Sequence, residues 1–131
     1  MSIANKEIPE RKPMVIFADD DTLCLDVGVK MLQSLGYNVL KARNGQEAVD
    51  VYEKNQNEVI AAILDMNMPH NGGTTFERLK RINSKLKIII ASGYAEQSRI
   101  NELFHQGCAG FIQKPFTLEV LSKKLSMVLN N

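Results

Sequence analysis

A doubly wound α/β sandwich, with five parallel strands in the order 2-1-3-4-5, is what three observations in the sequence predict. Short apolar runs alternate five times with segments of helical periodicity, the pattern of parallel strands joined by right-handed helical crossovers. The central run, Val59 to Leu64, is apolar without polar alternation, as suits a strand covered on both faces. Finally, four of the five runs stop at a group capable of chemistry: the acids Asp19, Asp20 and Asp21, then Asp65, then Ser92, then Lys114. In open α/β sheets the ligand crevice lies at the carboxyl ends of the strands, where the chain order reverses.

The elements follow in order. Residues 1 to 13 are polar, with Pro9, Pro13 and mixed charges, and read as a flexible lead-in or linker. Residues 14 to 131 form one folded domain. Met14 to Ala18 is the first strand. Thr22 to Leu35 carries Leu23, Val27, Met31 and Leu35 at i, i+4 spacing, the stripe of a first helix that Gly36 stops. Tyr37 to Ala42 is a second strand. Asn44, with Glu47 three residues on, resembles an N-cap and opens a helix from Gln46 to about Asn55.

Strand three, Val59 to Leu64, ends at Asp65, because Pro69 cannot donate to a ladder and Gly72-Gly73 tolerates a turn. Thr74 to Asn83 is helical, with Phe76, Leu79 and Ile82 inward. Leu86 to Ala91 is strand four, broken by Ser92-Gly93-Tyr94, and Glu96 to Gln106 is helical with Gly107 just past its end. Phe111-Ile112 centres strand five. Thr117 to Leu129 is an amphipathic last helix on Leu118, Leu121, Leu125, Val128 and Leu129, completing a (βα)5, flavodoxin-like sandwich.

Composition removes several function classes. Sixteen Lys and Arg against fifteen Asp and Glu give a net charge of +1, so no global field draws the chain to nucleic acid or an anionic membrane. The one basic cluster, Arg78, Lys80, Arg81, Lys85 and Lys87, lacks interleaved aromatics and reads as a solvated helix face. Cys24 and Cys108 form no C-x-x-C pair and read as core thiols, not a disulfide or a zinc site. With no signal-like start and no run near the ~18 apolar residues of a membrane span, a cytoplasmic location is expected.

In the predicted order, Asp19 and Asp20 stand beside Asp65. Two carboxylates about 4 Å apart repel by roughly 4 kcal/mol at an effective dielectric near 20, so a cation is needed among them. All-oxygen ligands favour Mg²⁺, with Mn²⁺ as the alternative. Screened by such an ion, Asp65 is a candidate nucleophile for phosphorus, a known mode of covalent chemistry. Lys114 offers a positive charge and Ser92 a hydroxyl to phosphoryl oxygens.

These motifs together resemble the response-regulator receiver domain, over about Met14 to Leu129. Phe17-Ala18-Asp19-Asp20-Asp21 resembles its acidic first-strand end and Leu64-Asp65-Met66-Asn67-Met68-Pro69 its phosphoacceptor motif. Ala91-Ser92-Gly93 resembles its strand-four hydroxyl, and Lys114-Pro115-Phe116 its Lys-Pro signature. The resemblance implies that Asp65 accepts phosphate from a phosphohistidine on a histidine kinase or histidine phosphotransfer domain. It implies that Asp20, Asp65 and the Asn67 carbonyl hold Mg²⁺, with Asp19 acting through water, and that Ser92 and Lys114 grip the phosphoryl group. A cis Lys114-Pro115 bond aiming the lysine is implied as well.

Phe111 stands at the family's switch aromatic. Movement of Ser92 toward phosphate would let Phe111 turn inward and remodel the face of helix four, strand five and helix five, where a downstream protein would bind. The expected state is a monomer or weak dimer, with no direct nucleic-acid or membrane contact. Gly72 and Gly93 depart from the Asp and Ala common in the family, and Ser92-Gly93-Tyr94 resembles receivers joined to hybrid sensor kinases.

Met singly, Asp65, Ser92 and Lys114 read as a turn acid, a loop residue and a surface lysine, His70 as a loop histidine and His105 as a helix-end residue. Their convergence on one crevice favours the phosphoacceptor. The alternatives are a pseudo-receiver that binds partners without phosphate, and an Asp-nucleophile phosphatase. The phosphatase lacks D-x-D-x-T, since Leu23 stands where threonine is needed. Beyond phosphotransfer to Asp65 and its reversal, no enzyme activity is expected.

Overall fold

The computed structural model describes residues 12–68, 72–93 and 97–130. Strands β1 (Met14–Ala18), β2 (Asn38–Ala42), β3 (Val59–Asp65), β4 (Lys87–Ser92) and β5 (Gly110–Gln113) alternate with helices α1 (Thr22–Ser34), α2 (Gly45–Lys54), α3 (Gly72–Ile82), α4 (Gln97–His105) and α5 (Leu118–Leu129). The strands pair in parallel in the order β2-β1-β3-β4-β5, as the sequence predicts. The lead-in up to residue 11, Pro69, His70 and Tyr94 lie outside the described residues.

Period-two alternation divides the sheet into two apolar faces. Ile16, Ala18, Ala62, Leu64, Ile88 and Ile90 pack against Ala48, Val49 and Tyr52 of α2, Phe76 and Leu79 of α3 and Leu103 of α4. The intervening Val15, Phe17, Ala61, Ile63, Ile89 and Ala91 pack against Leu25 and Leu32 of α1 and Leu121, Leu125 and Val128 of α5. Burying each large aliphatic side chain contributes about 1.5–3 kcal/mol, so β1, β3 and β4 are held rigidly from both sides.

Local signals explain most boundaries. The Asn44 carboxamide accepts from the Glu47 N–H at 2.8 Å, while the Glu47 carboxylate accepts from the Arg43 N–H at 2.9 Å, closing the start of α2. Gly36 and Gly107 follow α1 and α4 at φ of +97° and +100°, the left-handed conformation that ends a helix. Thr117 is the N-cap of α5, one residue outside the helix, its hydroxyl accepting from the Val120 N–H.

The i, i+4 stripe of α1 coincides with its buried face only in part, Met31 and Leu35 packing against the core. Leu25, Gly28 and Leu32 are buried, whereas Leu23 is 73% exposed and Val27 44% exposed. A strict four-residue repeat drifts around a 3.6-residue helix, so a contact face needs mixed i+3 and i+4 steps. Leu118 of α5, also read as inward, is 42% exposed.

Candidate functional site

The crevice is assembled from the tips of β1, β3, β4 and β5. Parallel register carries Ala18 to Leu64 and Asp65 to Ala91, so the chain leaves the sheet at one level on adjacent strands. The Met66 N–H donates to the Ala91 carbonyl at 2.8 Å and the Lys114 N–H to the Ser92 carbonyl at 2.9 Å, extending the sheet just past Asp65 and Ser92. The Lys114–Pro115 peptide bond is cis.

Asp19 is buried and doubly tethered. One carboxylate oxygen accepts from the Asp21 N–H at 2.9 Å, and the other accepts from the Lys114 ammonium at 2.8 Å. The same ammonium stands 3.6 Å from Asp65, so Lys114 rests on Asp19 while reaching Asp65. Asp20 is exposed at the rim. Oxygens of Asp19, Asp20 and Asp65 lie within 4.8 Å of one another, an all-oxygen set of the kind that hard divalent cations such as Mg²⁺ take.

Burial pushes the Asp65 carboxyl above the ordinary range, and the neighbouring Asp19 charge adds to this. Lys114 and the Asn67 backbone N–H pull the other way without cancelling the rise. For Lys114, burial disfavours the charge, but the hydrogen bond it donates to Asp19 and the charges of Asp65 and Asp19 outweigh it and hold the ammonium above its usual value. Three acids and one lysine leave a net negative pocket, suited to a divalent cation.

Ser92 is buried, at 1% exposure, at the end of β4. Phe111 of β5 is half-buried against the apolar cluster beneath α2, α3 and α4. The sheet thus brings Asp19, Asp20, Asp65 and Lys114 into one contact group and sets Ser92 on the neighbouring strand tip. Asn67, just past β3, turns its N–H toward Asp65.

Asp21 is exposed and is also the N-cap of α1: its side chain accepts from the Cys24 N–H at 3.0 Å, a bond that lowers its pKa. One sequence reading is corrected. Cys108 is buried, but Cys24 is only half-buried, so just one thiol belongs to the core.

The reading also missed a groove. Leu23, Cys24, Val27 and Met31 of α1, Phe17 beneath them and Pro115-Phe116 beyond β5 line a largely apolar hollow of about 190 Å³ whose floor reaches Asp19 and Lys114. Its signal was present: the Leu23–Val27 stripe that the core does not use.

Comparisons with known proteins follow the same geometry. Residues 15–126 match the family described as response regulator receiver domain. The chain is 34% identical over 116 residues to sensor kinase CckA of Brucella abortus, covering 88% of this chain and 12% of that kinase. It is 28% identical over 114 residues to chemotaxis protein CheY of Bacillus subtilis, covering 85% of this chain and 93% of that protein. Chemotaxis protein CheY4 of Vibrio cholerae superposes with a TM-score of 0.85 at 26% identity, over 90% of this chain and 99% of that one. The chain thus spans about an eighth of the kinase but nearly all of the chemotaxis regulator. No helix among the described residues is long and apolar enough to cross a membrane. With fold, strand-tip acids and family match in agreement, the chain belongs to the response regulator receiver domain family of two-component signalling.

Proposed function

We propose that the domain is a phosphoacceptor switch in which Asp65 takes a phosphoryl group from a phosphohistidine on a histidine kinase or histidine phosphotransfer domain. The observation that carries this reading is the grouping of three carboxylates with one lysine, Lys114 lying 2.8 Å from Asp19 and 3.6 Å from Asp65. Asp65 attacks phosphorus: an Oδ–P bond forms, the N–P bond of the donor breaks, and the imidazole keeps the electron pair and takes a proton.

Asp19, Asp20, Asp65 and the Asn67 carbonyl would hold Mg²⁺, which when bound neutralises carboxylate and phosphoryl charge. Lys114 leaves Asp19 for a phosphoryl oxygen, and the Ser92 hydroxyl donates to another. The backbone bond from Lys114 N–H to Ser92 carbonyl supports coupling of the two groups. Phe111 is half-buried, so a shift of Ser92 lets it turn inward and alters the face of α4, β5 and α5 for a downstream protein. The groove beside α1 offers the donor an apolar surface next to the acceptor. Residues 1–13 act as a linker to the folded part, residues 14–131, as in a receiver carried by a larger sensor kinase.

Wild-type and Asp65→Asn chains are incubated with Mg²⁺ and acetyl phosphate and followed by intact mass. One added phosphoryl group on the wild type and none on the variant is expected. Equal labelling of both would move the acceptor elsewhere.

A further inference from the structure

Lys80 stands where three segments meet. It lies on α3, half-buried, with its ammonium 5.9 Å from the centre of the Phe76 ring. Two of its three N–H donors go to main-chain carbonyls of the turn before β4, that of Ser84 at 3.1 Å and that of Leu86 at 2.8 Å. The end of α4 lies beside it: a Cβ built on Gly107 would stand 3.6 Å from both Cε and Nζ of Lys80.

That helix end is closed by its own backbone. The Gly107 N–H donates to the Phe104 carbonyl at 3.0 Å and the Cys108 N–H to the Leu103 carbonyl at 2.9 Å, with Gly107 left-handed at φ +100°. Carbonyls gathered at a helix C-terminus carry partial negative charge, which a half-buried cation stabilises. Of the described side chains of α4, only Ile100 and Leu103 are buried. A helix so lightly seated opens locally at low cost, so a single charged contact at its end weighs heavily.

We propose that Lys80 pins the C-terminal end of α4 to α3 and to the turn before β4, and that this pin opposes rearrangement of the α4-β5-α5 face when Asp65 is phosphorylated. The proposal rests on that face being the switched one. Cys108 is buried and the Ala109 N–H donates to the Ile88 carbonyl at 2.8 Å, so the end of α4 runs directly into the β4–β5 ladder. A phosphorylated state that moves α4 works against the Lys80 contact, and by linkage a weaker contact makes that state easier to reach.

Backbone amide exchange, read by mass spectrometry, tests this in full-length wild type, Lys80→Met and Lys80→Arg, first without metal and then with Mg²⁺ and beryllofluoride standing in for the phosphoryl group. Methionine keeps the stem over Phe76 and removes the charge and the donors; arginine restores both. In metal-free chains, exchange over residues 104–108 is expected to speed up about tenfold with methionine and to return near the wild-type rate with arginine, while β1 and β3 keep their protection. The beryllofluoride concentration at half-maximal change in α4 and β5 should fall about fivefold with methionine. Exchange over 104–108 that stays unchanged, or rises only together with that of β1 and β3, would overturn the pin. A beryllofluoride midpoint that stays put despite faster exchange would refute its opposition to switching. Should methionine unfold the chain, Lys80→Gln is read in the same way. A wild type whose α4, β5 and α5 protection ignores beryllofluoride, although acetyl phosphate labels Asp65, would overturn the switched-face reading and leave the metal-free result to judge the pin.

Discussion

Asp65 is stable in this fold only against an electrostatic cost, because burial and the Asp19 charge both favour its protonated form. A carboxyl whose folded pKa exceeds its unfolded value binds more protons folded than unfolded over that interval. Its contribution to stability therefore falls as pH rises through the raised value. Asp65→Asn should raise the melting temperature by a few degrees at pH 7 in chelator, and the gain should shrink as pH falls toward about 4, where the native acid keeps its proton. A gain that persists undiminished in acid would contradict this assignment. Lys114 is the opposite case, the cation that makes the acids tolerable. Lys114→Ala should destabilise the metal-free chain by about 2 kcal/mol, since it strands Asp19 and Asp65, and the melting increment given by Mg²⁺ should grow. An increment smaller than that of the wild type would show that the lysine does not compete with the cation.

At the scale of elements, α1 is positioned by one close approach. Gly28 presses its backbone on the Phe17 ring of β1, and Leu25 and Leu32 complete the contact. Alanine in a helix interior ordinarily gains about 0.5–1 kcal/mol over glycine, but here overpacking should cost about 1–3 kcal/mol. Gly28→Ala should therefore lower the urea midpoint, and Phe17→Leu, which removes the ring, should suppress that loss. Additive single and double variants would refute the contact. The same approach leaves Leu23 and Val27 outward, which is why the helix was legible in the sequence while its buried face was not. Thr22 to Leu35 offers apolar residues on both sides of the helix, and packing against β1, including the Phe17 ring under Gly28, decides which side lies down. The start of α2 is different: Asn44 and Glu47 lie three residues apart and satisfy local N–H groups, so no distant residue has a vote.

For the whole molecule, strand order converts separated acids into a site. Asp20 lies in the loop after β1 and Asp65 at the end of β3, and they meet because β1 and β3 are neighbours. Asp20 is exposed, without the two tethers that hold Asp19, so its substitution should spare the fold.

 Asp20→Ala should keep the metal-free unfolding free energy within about 0.5 kcal/mol of the wild type, while weakening Mg²⁺ binding at least about tenfold by calorimetry. An unchanged Mg²⁺ titration would remove Asp20 from the metal site.

The amino-acid sequence by itself determined the alternation of strands and helices, the parallel sheet and the strand tips at which Asp19, Asp65, Ser92 and Lys114 stand. Those features depend on short-range periodicity, turn residues and caps, which act over a few residues. Tertiary structure alone decided that Lys114 rests on Asp19 and not on Asp65, that Asp21 caps α1, and that Leu23 and Val27 edge a groove that reaches Asp19 and Lys114. Each of these depends on distances between segments far apart in the chain, where a difference of less than 1 Å selects the partner of a charge, and periodicity carries no information at that range.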